Sequence, residues 1–188
     1  TLVVRYADGT VTRGESEVHG VGKVVSRVSV EPVGVPAPPG VIEAIQDADV
    51  LVLGPGSLFT STIPALLGGG VREALSRFGG PVVYVANVMT QPGETDGFAV
   101  SDHVRAISGH LGPVVTDVLV HSGALSSGVL ARYEAEEAAR VEVDREVLRE
   151  MGLGVREAAV LSGDDEAGLR HDPGRLAREV CEAALVRL

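Results

Sequence analysis

Residues 49–67 read DVLVLGPGSLFTSTIPALL and residues 82–104 read VVYVANVMTQPGETDGFAVSDHV, and the two share one pattern: an apolar run, a polar loop holding glycine, then a helical signal. Short β-branched runs closed by glycine or a polar loop are strand signals, and strands alternating with helices form parallel sheets covered on their faces. Loops that leave the carboxyl ends of such strands lie along one rim, where open α/β sheets bind ligands. The two stretches therefore predict an α/β fold and locate its functional edge.

The first loop begins Gly54-Pro55-Gly56-Ser57. Its glycines permit positive φ and leave room for a ligand against the backbone, while Pro55 fixes one dihedral between them. Thr60, Ser61 and Thr62 are candidate N-caps, and Pro64 suits a first helical turn. A loop feeding a helix in this way presents free amides and hydroxyls suited to phosphate. The helix dipole adds only ~0.3–1 kcal/mol, whereas each hydrogen bond to a charged group adds roughly 1.5–3 kcal/mol, so amides and hydroxyls dominate such a site. A plain strand-to-helix connection is the competing reading. Dinucleotide binding is disfavoured because Phe59 stands where G-x-G-x-x-G requires its last glycine, and no Walker lysine follows.

The second loop crowds Asn87, Thr90, Gln91, Glu94, Thr95 and Asp96 between strand and helix, with Pro92-Gly93 and Gly97 shaping turns. That polar density exceeds what capping requires. Glu94 can order the loop, bind a cation or receive a substrate proton, and a self-bonded loop is the bland alternative. Ser101 or Asp102 is expected to cap a helix that turns Val104, Ile107 and Leu111 inward and ends at Gly112-Pro113.

Outward from these loops, residues 2–6 and 11–13 flank Ala7-Asp8-Gly9-Thr10, a hairpin signal, and residues 23–30 read as a third strand. A proline-rich stretch from Pro32 to Pro39 links this β element, residues 1–40 of the same domain, to an α/β portion over residues 41–188. There a helix is expected over 41–47 and a strand over 114–121. Beyond His121-Ser-Gly-Ala124 come a short strand over 138–143, a helix over 145–151, a strand over 155–162 and an amphipathic helix over 175–188. In that last helix Leu176, Val180, Ala183 and Ala184 share a side.

With 188 residues, the chain is long enough to bury a substantial core. Its formal net charge of -10 argues against a nucleic-acid partner, whose affinity rests on lysine and arginine. A small phosphate ligand stays compatible with that charge, because distant carboxylates are screened beyond ~8 Å at physiological salt. No apolar span is long enough for a membrane helix and no secretory segment opens the chain, so membrane insertion is not expected and a cytoplasmic location is. The lone Cys181 cannot form an internal disulfide and is expected to be a buried spectator. His103 and His110 lie seven apart, about two helical turns, too far to share a metal ion unaided. No G-x-S-x-G elbow supports a hydrolase built on Ser57.

LGPGSLFTSTIPALL and VYVANVMTQPGETDGFAVSDHV, with ADGTVTRGES, AIQDADVLVLGPGS, Tyr133 and RHDPGRLA, closely resemble the bacterial gluconeogenesis factor family, relatives of 2-phospho-L-lactate transferase. The likeness spans nearly the whole chain and implies a Rossmann-like three-layer sandwich with a mostly parallel sheet. It also implies that an amino-terminal portion carrying a glycine-rich loop is missing, in keeping with a chain that opens on Thr1. His121 departs from the pattern, which has Asn there. GPGSL and the full TQPGETDG loop are nearer the gluconeogenesis factor branch than the transferase branch.

The first branch implies a regulatory protein that binds UDP-sugars such as UDP-N-acetylglucosamine, needs no cofactor, and supports growth on gluconeogenic carbon sources and normal cell shape; a homo-oligomer is compatible with it. The alternative branch implies a magnesium-dependent transfer of a phospholactyl-type group from a nucleotide diphosphate adduct to a deazaflavin alcohol. Carried over residue by residue, the resemblance sets Gly54, Pro55, Gly56 and Ser57 against the diphosphate, with hydroxyls from Thr60 or Ser61. Asn87, Thr90, Gln91, Glu94 and Thr95 would line the sugar or phosphate side. Tyr133 would meet the nucleotide sugar and Arg170 a phosphate, against the bland alternatives of a packing tyrosine and an arginine paired with Asp172 or Asp165.

Overall fold

A computed structural model describes residues 1–18, 22–162 and 168–185; Asp165 and the predicted helix end at 186–188 lie outside them. Strands β1 (Leu2–Tyr6) and β2 (Val11–Arg13) form the expected hairpin. Asp8 ties its turn, accepting the Thr10 amide at 2.9 Å and the Thr10 hydroxyl at 2.6 Å. Strand β3 (Val25–Val30) pairs antiparallel with the other edge of β1, giving the order β2-β1-β3.

The rest is an α/β layer structure. Helix α1 (Val41–Gln46) leads into β4 (Leu51–Leu53), a π-helical turn (Leu58–Thr62), α2 (Ile63–Ala65) and α3 (Val71–Arg77). Then come β5 (Val82–Val85), α4 (Val100–Leu111), β6 (Asp117–His121), α5 (Ser127–Ala135), α6 (Arg145–Glu150), β7 (Gly154–Ala158) and α7 (Pro173–Leu185). All pairings in the second sheet are parallel, in the order β4-β5-β6-β7.

Strand β5 shows why the sheet holds two cores. Alternate side chains of a strand point to opposite faces. Val82 and Tyr84 join one cluster with Val104, Ile107 and Leu111 of α4 and with Val4, Tyr6 and Val28 of the small sheet. Val83 and Val85 join another with Leu119, Val160, Val180 and Ala183. Fully burying each such side chain contributes roughly 1.5–3 kcal/mol, so the central strand anchors both faces.

The small sheet is also fastened to α4 by polar contacts. The Val28 amide donates to His110 Nε2 at 2.9 Å, which leaves the ring proton on Nδ1 to meet the Ala106 carbonyl at 2.7 Å. Arg27 reaches the Gly109 carbonyl at 3.3 Å.

Several boundaries differ from the sequence reading. Helix α4 starts one residue before Ser101, with Ala99 as cap; Asp102 serves from the third helical position, accepting the Ala99 amide at 3.0 Å. Residues 138–143 make only isolated bridges, Met89 to Arg140 and Ala99 to Glu142, because they splint the second loop and join no sheet. Helix α5 was not anticipated: its amphipathic signal is weak and Val129 is its one buried residue. Cys181 is exposed, since the buried side of α7 is formed by Val180 and Ala183.

Candidate ligand-binding cleft

Because β4 and β5 are parallel neighbours, their carboxyl ends release the two polar loops side by side. They touch at Gly54. Its φ of +81° suits glycine, and a Cβ there would stand 3.2 Å from the Val85 carbonyl oxygen.

Ser57 organises the first loop. Its extended backbone makes it the N-cap, a role the sequence reading gave to the hydroxyls at 60–62. Ser57 Oγ accepts the Thr60 amide at 3.3 Å and the Thr60 hydroxyl, and donates to Glu94 Oε2 at 2.7 Å. The turn that follows is π-type, closed by the Thr62 amide on the Ser57 carbonyl at 2.8 Å. Thr60 is buried with its hydroxyl committed to Ser57. Ser61 is exposed and borders a separate pocket of about 240 Å³ with Val52 and Leu66.

The second loop divides in two. Its first half, Asn87 to Gln91, is held by main-chain bonds to residues 139–141: Thr90 N–H to the Ala139 carbonyl at 2.7 Å and Val141 N–H to the Val88 carbonyl at 3.0 Å. The Ala139 amide returns to Thr90 Oγ1 at 2.9 Å. Its second half is buttress. Thr95, with no exposed surface, accepts the Gln91 amide at 2.9 Å, and Asp96 accepts the Gly93 amide at 2.7 Å. Glu94 is 3% exposed and serves Ser57. Of the roles open to Glu94, ordering the loop is the one its contacts display.

Under this loop lies a buried pair, with the Tyr84 hydroxyl 3.1 Å from His103 Nδ1. Burial pushes the His103 pKa down to about 4, offset in part by Asp102, and raises that of Tyr84 well above a free phenol. A neutral imidazole at neutral pH thus shares a hydrogen bond with a neutral tyrosine hydroxyl, its direction set by the tautomer of the ring.

The loops enclose a cleft of about 340 Å³. Pro55, Gly56 and Ser57 form one wall, and Asn87, Val88, Met89, Thr90 and Gln91 another. Tyr133 closes it from the last turn of α5, and its hydroxyl accepts the Leu169 amide at 3.2 Å. Leu161, Leu169 and His171 complete the lining. Of the residues expected at the site, Gly54, Thr60, Ser61, Glu94, Thr95 and Arg170 do not line this cleft; Gly54 borders the neighbouring pocket with Ser61.

Arg170 is exposed, and its carbonyl accepts the Ser162 amide at 3.0 Å. The residues on either side of it face the cleft. Leu161 bridges His171 in antiparallel fashion, so the segment is extended and its alternate positions 169 and 171 turn inward. His171 was missed by the sequence reading, although this alternation in LRH was the available signal. Burial lowers the His171 pKa, which favours the neutral ring. The departure at His121 has a local structural use: its Nδ1 accepts the Val160 amide at 3.2 Å.

Among the described residues, no group of three or more His, Cys, Asp or Glu is placed to hold a metal ion, and no helix is long and apolar enough to cross a membrane. The lining of the cleft itself carries no carboxylate.

Comparison with known proteins agrees with this architecture. The crystal structure of a UPF0052 family protein from Bacillus halodurans superposes with a TM-score of 0.91 at 39% identity, covering 96% of this chain and 58% of that one. The gluconeogenesis factor of Halalkalibacterium halodurans is 42% identical over 177 residues, 93% of this chain and 54% of its own. That of Bacillus subtilis is 37% identical over 177 residues, 94% of this chain and 56% of its own. The chain spans about half the length of these curated relatives. A profile for 2-phospho-L-lactate transferase CofD matches residues 1–161. By that match over most of its length, the chain belongs to the 2-phospho-L-lactate transferase CofD family, among relatives named gluconeogenesis factors.

Proposed function

We propose that this chain is the greater part of a nucleotide-sugar site in a cytoplasmic regulatory factor that binds a UDP-sugar and supports growth on gluconeogenic carbon sources and normal cell shape. The observation that carries the reading is the shared cleft, in which residues Pro55 to Ser57 and the Asn87–Gln91 segment face one space beside Tyr133. Gly56 and Ser57 make no amide hydrogen bond to any described residue, so both N–H groups stay available to phosphate. Arg170 stands outside the lining, between two residues that belong to it, and is assigned to a phosphate at the mouth.

Calorimetry of the full-length protein with UDP-N-acetylglucosamine tests this reading, with binding and no turnover as the expected result. Magnesium-dependent consumption of a nucleotide-linked phosphoacid would instead establish the transferase reading, whose support is the family description. Arg170→Ala should weaken binding by about 1.5–3 kcal/mol. Unchanged affinity removes Arg170 from the site.

A further inference from the structure

The walls of the cleft have an unusual charge balance for a site assigned to a nucleoside diphosphate. No lysine or arginine is among its lining residues. Val88, Met89, Leu161 and Leu169 supply apolar surface instead. A diphosphate drawn inside would lose hydration without meeting a counter-charge, which is unfavourable unless the charges are paired.

Three side chains along the same walls have unused hydrogen-bonding capacity. The side-chain amide of Asn87 makes no hydrogen bond among the described residues, while its backbone meets the Tyr84 hydroxyl. Gln91 Oε1 and His171 Nε2 are shielded from solvent and are likewise without a partner there. Buried polar atoms in native proteins are nearly always satisfied, and exceptions are often sites where a ligand completes the set. One acceptor, one amide and one neutral imidazole match a molecule rich in uncharged O–H and N–H groups.

We propose that the cleft interior holds the uncharged, hydroxyl- and amide-bearing sugar of the ligand, while its phosphates stay at the Gly54–Ser57 edge. The assignment rests on the nucleotide-sugar reading above. Gln91 Oε1 accepts from a sugar hydroxyl or acetamido N–H, and Asn87 and His171 bind neighbouring polar groups of the same ring. A nucleobase in the cleft is the competing occupant.

The test is calorimetry of the full-length protein with two probes, UDP and UDP-N-acetylglucosamine, on the wild type and on Gln91→Leu, His171→Phe and Asn87→Ala. Each substitution should lower the preference for UDP-N-acetylglucosamine over UDP by tenfold or more. Asn87→Ala removes no internal bond, so it carries the test even where the other two variants fold poorly. If the variants lose both probes in equal proportion, the base or phosphates occupy the cleft and the inference is overturned; an unchanged preference overturns it as well. A wild-type protein that binds neither probe overturns the nucleotide-sugar reading itself, and the sugar assignment with it.

Discussion

The two loops at the rim have similar sequence texture but use their polar groups differently. In the first loop one residue, Ser57, collects the hydroxyl and amide of Thr60 and reaches across to Glu94. In the second, lining and support are separated along the chain: Asn87 to Gln91 face the cleft, and Glu94 to Asp96 hold the turn from behind. A dense polar loop is therefore partly a ligand surface and partly its own scaffold.

Acid offers the largest test of that division, because His103 lies beneath the second loop, paired with Tyr84. Its folded pKa of about 4 is below the ordinary value of 6.5, so its contribution is complete above pH 6.5 and is lost as pH falls toward 4. The difference corresponds to roughly 3 kcal/mol for His103, and burial shifts His110 and His171 in the same direction. Urea unfolding across this range should show falling stability in the wild type and a shallower slope in His103→Phe. Equal slopes would break the comparison.

A smaller effect is expected between the loops. A double-mutant cycle on Ser57→Ala and Glu94→Gln should return a coupling of about 1.5–3 kcal/mol, the range for a hydrogen bond to a charged group. Additive losses would mean that the loops are independent. Within the second loop, Thr95→Val should cost ~1–3 kcal/mol by leaving the Gln91 amide unmatched. Asn87→Ala, which removes no internal bond, should change stability by less than about 0.5 kcal/mol. Comparable losses at 87 and 95, measured by thermal melting, would erase the distinction between lining and scaffold. Smallest of all, Arg145→Ala breaks an exposed pair with Glu157 and should leave the melting temperature almost unchanged.

Much of the frame was legible because glycine and proline punctuate it. The hairpin around Asp8-Gly9, the runs ending at Gly54 and Asn87, and the stop at Gly112-Pro113 all mark real boundaries. What was hidden depends on contacts distant in sequence. Three consecutive hydroxyls at 60–62 concealed the capping role of Ser57, since a π-type turn moves the cap upstream. The apolar alternation around Ala138 and Val141 reads as a strand, yet those residues pack against the second loop. Arg170 drew notice as a cation, while the inward positions are its neighbours at 169 and 171. Charge is visible in a sequence, but the facing of an extended segment depends on its bridging partner.

Helix α4 has a mechanical consequence for the molecule. Its first turn is bound to the rim through Asp102, and its final turn holds the antiparallel sheet through His110. Twelve residues make a rod about 18 Å long. The rim and the antiparallel sheet are therefore held at opposite ends of one stiff element, and the length of that helix sets their spacing.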